Sequence, residues 1–502
     1  MADADRMARE SAVVTAAATV TAGVPPRVLI SGAHRSSGKT TIALGLAAAL
    51  RARGLAVQPF KKGPDYIDPM WLGHAAWRDC YNLDPYLMSG DAIGAMFAAK
   101  AADADVALIE GNQGLFDGVA LDGSNSSAAL AAMLGMPVVL VIDARGMNRG
   151  VAPILLGYQA FDRAVRIGGV VLNRVGSPRH EAKLRAVIEH YTDIPVLGAV
   201  REETTVGMTE RHLGLVPTNE AACAREQIDR IRAHIAEQVD LDRVLAVARS
   251  ADPHIGFRSV GTDVPVAVAL GGSGLPRARI GVAMDRAFGF YYADDLEALR
   301  RAGAAIVPFD TLRDHDLPAV DALFIGGGFP ESCAGELAAN VSLRGQIAAA
   351  VARGMPAYAE CGGLMYLARS LIVEGRRHEM VGAIPGDVHM QRRPVGSGYV
   401  ELEGTGHAPH GPGRIRGAVF RAHEFHYSAI AGLPPDTRYA YRVRRGYGVD
   451  GENDGIVVRN LVASYSHLRS IAGADWARQF VDFVVHAGAA RVDHAVEPAH
   501  AA

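Results

Sequence analysis

The chain has 502 residues, of which 49% are hydrophobic and 21% charged, and its formal net charge is −3. That length builds at least two cores, and the near-neutral charge excludes a broad nucleic-acid face and an acidic disordered tail. Cys80, Cys223, Cys333 and Cys361 stand far apart with no CxxC pair, so a disulfide framework or structural zinc site is excluded and a reducing cytoplasm is expected. No apolar stretch approaches the length of a membrane span.

Residues 1–26 hold an alanine-rich run behind mixed charges, a weak match to a signal peptide that reads better as a mobile leader. From Arg27 to about Val216, strand-like runs at 28–30, 106–109, 138–142, 169–172 and 195–197 alternate with alanine-rich helical stretches. This is the rhythm of an α/β domain with a mostly parallel sheet. A charged helical stretch at 221–251 and a Gly- and Pro-bearing segment at 253–277 read as a connection and linker. A second α/β rhythm runs through 280–283, 305–307, 322–325 and 356–358. After about Glu379 the chain turns β-rich and ends in a helix near 476–485. The expected division is therefore 27–220, 221–278 and 279–487, with a frayed tail at 488–502.

Residues 28–42 read VLISGAHRSSGKTTI, an apolar run, a loop of small residues and a helix start. Such a stretch cradles a polyphosphate: Gly32 and Gly38 let the backbone approach, Lys39 reaches the outer phosphates, and Thr40 offers a hydroxyl to Mg²⁺. Ser37 and Thr41 complete the candidate ATP-binding set. After a strand expected at 57–60 comes KKGPDYIDP, with Asp65 and Asp68 three apart, and a later strand ends on Glu110. Strand ends are where open α/β sheets bind ligands. Thr40, Asp65 and Glu110 are thus expected to converge on one metal ion, against the plainer reading of the aspartates as turn caps.

In the second half, AYAECGGLM has the pattern of a nucleophile elbow, which presents Cys361 between strand and helix with the helix N-terminus lowering the thiol pKa. The plainer reading is a buried structural cysteine. Upstream, Gly327 and Gly328 in GGGFPE offer backbone N–H groups for an oxyanion hole, and downstream His467 is a base for the thiol. This unit resembles the class I glutamine amidotransferases, and the resemblance implies an orienting carboxylate two residues after that histidine; Arg469 stands there, so the carboxylate is expected to be missing. His423 and His426 in HEFHY are too few for zinc and are expected to line a channel or substrate pocket. Arg392, Arg393 and Arg421 are candidates for substrate carboxylates, or are simply solvated.

The longer phosphate loop, the KKGPDYIDP turn, Asn82-Leu83-Asp84, Glu110-Gly111 and the Cys361 unit together resemble the cobyrinate a,c-diamide synthase family, with a class I glutamine amidotransferase domain of the cobyrinate and cobyrate synthase branch. The resemblance covers nearly all of Arg27 to about Val485. It implies a dethiobiotin synthetase-like ATP domain and a ligase that activates tetrapyrrole carboxylates as acyl phosphates, for displacement by ammonia from glutamine. It also implies that Asp65, Asp68 and Glu110 organise metal and acyl phosphate and that Asn173 contacts adenine, with Tyr66, Trp71 and Asp84 as candidate substrate contacts. Trp71 and Arg469 depart from the family's usual residues, which keeps sirohydrochlorin or siroheme open as the macrocycle. Cobyrate synthase shares both domains, but the KKGPDYIDP turn favours the a,c-diamide enzyme. A partitioning-type nucleotide switch is the competing reading of the first half, but Ala33-His34-Arg35 lacks its early lysine and it has no use for Cys361 and His467. Tetrapyrrole and glutamine are the expected partners, without nucleic acid or membrane, and a homodimer is left open.

Overall fold

The computed structural model describes residues 24–203, 210–211, 214–220, 223–253, 276–471 and 475–496. The expected leader up to residue 23, most of the expected linker (254–275) and the end of the expected tail (497–502) lie outside the described residues.

Apolar runs form β1 (Arg27–Gly32), β2 (Val57–Lys62), β3 (Tyr81–Leu83), β4 (Val106–Gly114), β5 (Val138–Asp143), β6 (Ile167–Val175) and β7 (Val196–Arg201). They make one parallel sheet in the order β3-β2-β4-β1-β5-β6-β7. Helices cover both faces, so β1, β2 and β5 are buried along their whole length. Because β4 lies between β1 and β2, Glu110 sits in register with Ile30 on one side and Lys61 on the other. That register gathers the phosphate loop and the acidic turn at one end of the sheet.

The charged stretch expected between the domains forms helices Ala224–Gln238 and Leu241–Arg249. Ile228, Ile231, Ile235, Val244 and Leu245 pack into the first core beside Ile42 and Leu46. A Cβ on Gly45 would stand 2.3 Å from Ile235 Cγ1, so the Ile235 side chain of helix Ala224–Gln238 lies against the backbone of helix Lys39–Ala52. Both helices therefore pack as part of the first core.

The second domain has a nine-stranded sheet. Strands Ala304–Phe309, Ala278–Ala283, Ala322–Ile325, Ala357–Glu360 and Leu461–Ser464 pair in parallel. Asn453–Val458, Arg438–Arg445, Gly396–Gly404 and Val419–His426 continue it antiparallel, which is the β-rich closing part. The last helix runs Trp476–Val496, beyond the stop expected at 485. Trp476 and Phe480 seal one face of the sheet.

The domains meet through part-buried polar and ring contacts. Tyr81 donates to Glu297 (2.5 Å), Tyr399 donates to Asp84 (3.0 Å), and Tyr86 stacks on Tyr399 with centroids 4.2 Å apart.

Candidate active sites

The helix that follows the phosphate loop begins at Lys39, directly after Gly38, whose φ of 87° is left-handed. A side chain there fails twice, since a Cβ would also lie 2.0 Å from Asn173 Nδ2. Asn173, at the end of β6, donates to Ser37 O (2.9 Å), and Arg174 donates to Ser36 O (2.9 Å). The asparagine expected to meet adenine therefore has its amide on the loop itself. Ser37 Oγ donates to His34 O (2.7 Å) and shapes the turn from within.

Thr40 Oγ1 donates to Glu110 Oε1 (2.5 Å), and Lys39 Nζ stands 3.9 Å from the same oxygen. Lys61, which the motif reading passed over, sits 3.1 Å from Glu110 Oε1 and 2.5 Å from Asp68 Oδ2, and donates to Gly111 O (3.2 Å). The Lys61 and Glu110 side chains are both fully buried. Burial works against the Lys61 ammonium, yet Asp68, Glu110 and Asp65 outweigh it and raise its pKa. Burial and then the Asp68 charge raise Glu110, whereas Asp68 is held below its ordinary value because Lys61 and Lys39 overcome its burial. Asp65, buried and beside Asp68, is pushed up to about 6. Its Oδ1 accepts from the N–H groups of Ile67 (2.8 Å) and Asp68 (3.1 Å) and so caps helix Ile67–Ala76.

This set fits a Mg²⁺ ion delivered with a triphosphate. Glu110 Oε2 is buried without a hydrogen-bond partner, while among the described residues no three His, Cys, Asp or Glu side chains form a cation cage. Mg²⁺ takes one or two carboxylates and leaves its other positions to phosphate and water.

In the second domain, strand Ala357–Glu360 ends at Cys361, whose φ of 46° and ψ of −100° are a strained elbow before helix Gly362–Leu367. Gly363 is required there, since a Cβ on it would lie 2.0 Å from Ile325 O, and Gly362 packs closely, with a Cβ 3.1 Å from Gly328 N. The glycine turn is thus beside the elbow, and a Cβ on Gly327 would stand 2.8 Å from His467 Cε1. Cys361, Gly327, Gly328 and His467 therefore share one site. Cys361 Sγ lies 3.8 Å from Phe425 O. Burial, then Glu331, pushes the thiol up despite the Gly362 N–H, so the expected lowering by the helix does not prevail and the resting thiol needs a base.

The carboxylate sought after His467 comes instead from before the nucleophile. Glu360 Oε2 is 3.2 Å from His467 Nδ1. Its Oε1 accepts from Tyr358 OH (2.6 Å) and Leu468 N (2.9 Å). A carboxylate closing the otherwise apolar strand AYAE was the available signal, the same one that singled out Glu110.

Tyr66 joins the two sites. It belongs to the acidic turn of the first domain, yet its ring lies 5.2 Å from His467, 5.6 Å from His423, 4.4 Å from Tyr292 and 5.4 Å from Phe290. Tyr292 OH donates to Pro64 O (3.1 Å) and is 3.4 Å from His423 Nδ1. His423 stacks on His467 at 4.9 Å. Burial, His467 and Arg469 hold its pKa well below the ordinary value, so it stays neutral.

Other sequence candidates fall elsewhere. Trp71 is 2% exposed in the first core and donates to Val216 O (2.9 Å). Asp84 is buried, caps Tyr86 and Leu87, and holds Tyr399. His426 is on the opposite face of its strand from His423, stacked on Tyr465 at 3.9 Å with Nδ1 on Ser428 O. Glu424 is taken by the N–H groups of Tyr447 and Gly448. Arg392 and Arg393 are exposed on a loop, and Arg421 lies over the Tyr86 ring. Arg469 is buried and clamps the domains, donating to Asn82 O (2.6 Å) and Asp294 Oδ2 (3.0 Å).

Two family descriptions match the chain: the CobQ/CobB/MinD/ParA nucleotide binding domain over residues 28–215 and the CobB/CobQ-like glutamine amidotransferase domain over residues 279–473. The chain is 47% identical over 457 residues to the cobyrinate a,c-diamide synthase of Magnetococcus marinus, covering 90% of this chain and 96% of that protein. It is 41% identical to that of Methanosarcina acetivorans, covering 92% and 96%. To that of Listeria monocytogenes it is 39% identical, covering 88% and 96%.

Proposed function

Because the chain belongs to the cobyrinate a,c-diamide synthase family, and is with it a glutamine-dependent, ATP-using ligase, we propose that it amidates the a and c carboxylates of cobyrinate or hydrogenobyrinate. Each carboxylate attacks the γ-phosphoryl group of ATP to give an acyl phosphate, and ammonia then displaces phosphate to leave the amide. Lys39 and Lys61 offset the charge of the transferring group, with Asp68 and Glu110 fixing the position of Lys61. Thr40 and Glu110, with Asp65 as third candidate, would hold a Mg²⁺ ion, which would supply further charge neutralisation on the phosphates.

In the second domain His467 takes the Cys361 proton, sulfur attacks the glutamine amide carbon, and the Gly327 and Gly328 backbone receives the oxyanion. His467 returns the proton to the leaving nitrogen, the C–N bond breaks, and water hydrolyses the thioester. The observation that carries this reading is Tyr66, which sets the acidic turn of one site against the histidine of the other. Trp71 and Arg469, the departures that kept sirohydrochlorin open, are a core ring and a domain clamp, so neither speaks for another macrocycle. Among the described residues no helix is long and apolar enough to cross a membrane, in keeping with the cytoplasmic location we propose.

Mass spectrometry of reactions with ATP, Mg²⁺, glutamine and either cobyrinate, hydrogenobyrinate or sirohydrochlorin tests the proposal. Each acid converted exchanges OH for NH₂, so the product mass counts the sites. Two amidations of a corrinoid are expected, and conversion of sirohydrochlorin alone would refute the substrate. Cys361→Ala should abolish the glutamine reaction and spare the reaction with ammonium.

A further inference from the structure

The amidotransferase site holds a buried carboxylate with no assigned part in the reaction. We infer that Glu360 is the positioning residue of the glutaminase, orienting His467 and balancing the charge it acquires, and that the acid usually sought downstream of the histidine has been replaced by one directly upstream of the nucleophile. The inference rests on the reading of Cys361 as nucleophile and His467 as its base.

The geometry supports this in three ways. Glu360 and Ser464 are paired in adjacent parallel strands, and Cys361 N donates to Ser464 O (2.7 Å), so elbow and histidine segment are fixed to each other by backbone. The carboxylate is itself immobilised, with Oε1 receiving Tyr358 OH and Leu468 N while Oε2 faces His467 Nδ1. Finally, the position two residues after the histidine is spent elsewhere, because Arg469 turns away to hold Asn82 and Asp294.

With Nδ1–H donated to Glu360, Nε2 is left as the acceptor. The Cys361 proton moves to Nε2, the sulfur–carbon bond forms, and the imidazolium rests against an ionised carboxylate that does not itself take the proton. That proton then passes to the glutamine nitrogen, and ammonia departs. Around His467 the other titratable groups are Tyr66 and His423 at ring contact and Cys361 across the elbow, with Tyr292 and Arg469 behind His423. Glu360 alone among these is a carboxylate hydrogen-bonded to the ring.

The test uses the full chain and both nitrogen sources. Glu360→Gln keeps an acceptor and removes the charge. The kcat with glutamine should fall on the order of 10²-fold or more, with the KM for glutamine little changed and ammonium-dependent amidation intact. Glu360→Asp, which restores the charge at shorter reach, should recover part of the loss. A Glu360→Gln enzyme with wild-type kcat on glutamine would overturn the inference. So would an equal loss from both nitrogen sources in Glu360→Gln and Glu360→Asp alike, which would mark the carboxylate as structural. Retention of glutamine activity by Cys361→Ala would instead refute the nucleophile assignment itself, a result distinguishable from any outcome at Glu360.

Discussion

Replacing Lys61 with methionine keeps its length and deletes its charge at the centre of the first site. Asp68, in the first turn of its helix, and Glu110, on its strand, are then left without their shared partner at 2.5 and 3.1 Å. Removing one member of a buried ion pair costs about 3–5 kcal/mol. A second route to the size of the effect is that the variant can relieve itself by protonating Glu110, whose pKa burial and Asp68 already raise. Protonating an ordinary glutamate at pH 7 costs about 3.4 kcal/mol, so the two routes agree. Urea unfolding followed through the fluorescence of Trp71, buried beneath the site, measures the loss. The pH dependence gives the sharper check. In the variant the folded state binds more protons than the unfolded chain above pH ~4.5, so its stability recovers as pH falls toward that value. The wild-type contribution of Asp68, whose pKa is lowered, persists down to about pH 3.8. A loss below about 1 kcal/mol at pH 7, or one that does not shrink on acidification, would refute the argument that Lys61 neutralises this cluster.

Three further outcomes are expected. Gly38→Ala must accommodate a Cβ 2.0 Å from Asn173 Nδ2 at a left-handed φ, a strain of about 1–3 kcal/mol; calorimetry should show binding of a non-hydrolysable ATP analogue weakened about tenfold or more, and unchanged affinity would remove the loop from the mechanism. Arg469→Gln breaks the clamp to Asp294 and Asn82, so glutamate released per amide formed should rise while ammonium still supports amidation; an unaltered ratio would count against the clamp. His410 is buried against Phe480 and accepts a proton in the folded state only near pH 4, because burial lowers its pKa. The unfolded chain protonates it near 6.5, so stability falls as pH drops through that window, by about 3.4 kcal/mol in all, and His410→Gln should flatten the acid-unfolding curve.

What the sequence made legible was whatever the backbone demands locally. Parallel strands covered on both faces are continuous apolar runs, and both Gly38 and Gly363 occupy places where a Cβ collides with its surroundings. Lys61 and Glu360 escaped because each is defined by a partner far along the chain, Glu110 and His467, which only strand register brings near. Residue type misled where facing decides the outcome: His423 and His426, three apart on a strand, look in opposite directions, and Trp71 fills a core. The stretch after residue 223 reads as helical, as it is, but its charge hid that it packs into the first core through the stripe of Ile228, Ile231 and Ile235. The Cys361 thiol departed from expectation because its helix is short and its burial deep.

Asp65 and Tyr66 are neighbours in sequence, one with its carboxyl pushed up by burial and then by Asp68, the other with its ring 5.2 Å from His467. A single peptide unit therefore belongs to two reaction centres, which limits how such a protein can be recombined. A chimera that joins this ATP domain to an amidotransferase domain without rings matching Phe290, Tyr292 and His423 leaves Tyr66 without the socket that receives it here. On the proposed reading the portable unit is not the domain but the turn together with its aromatic socket, and grafts that carry both are expected to keep glutamine consumption matched to amide formation.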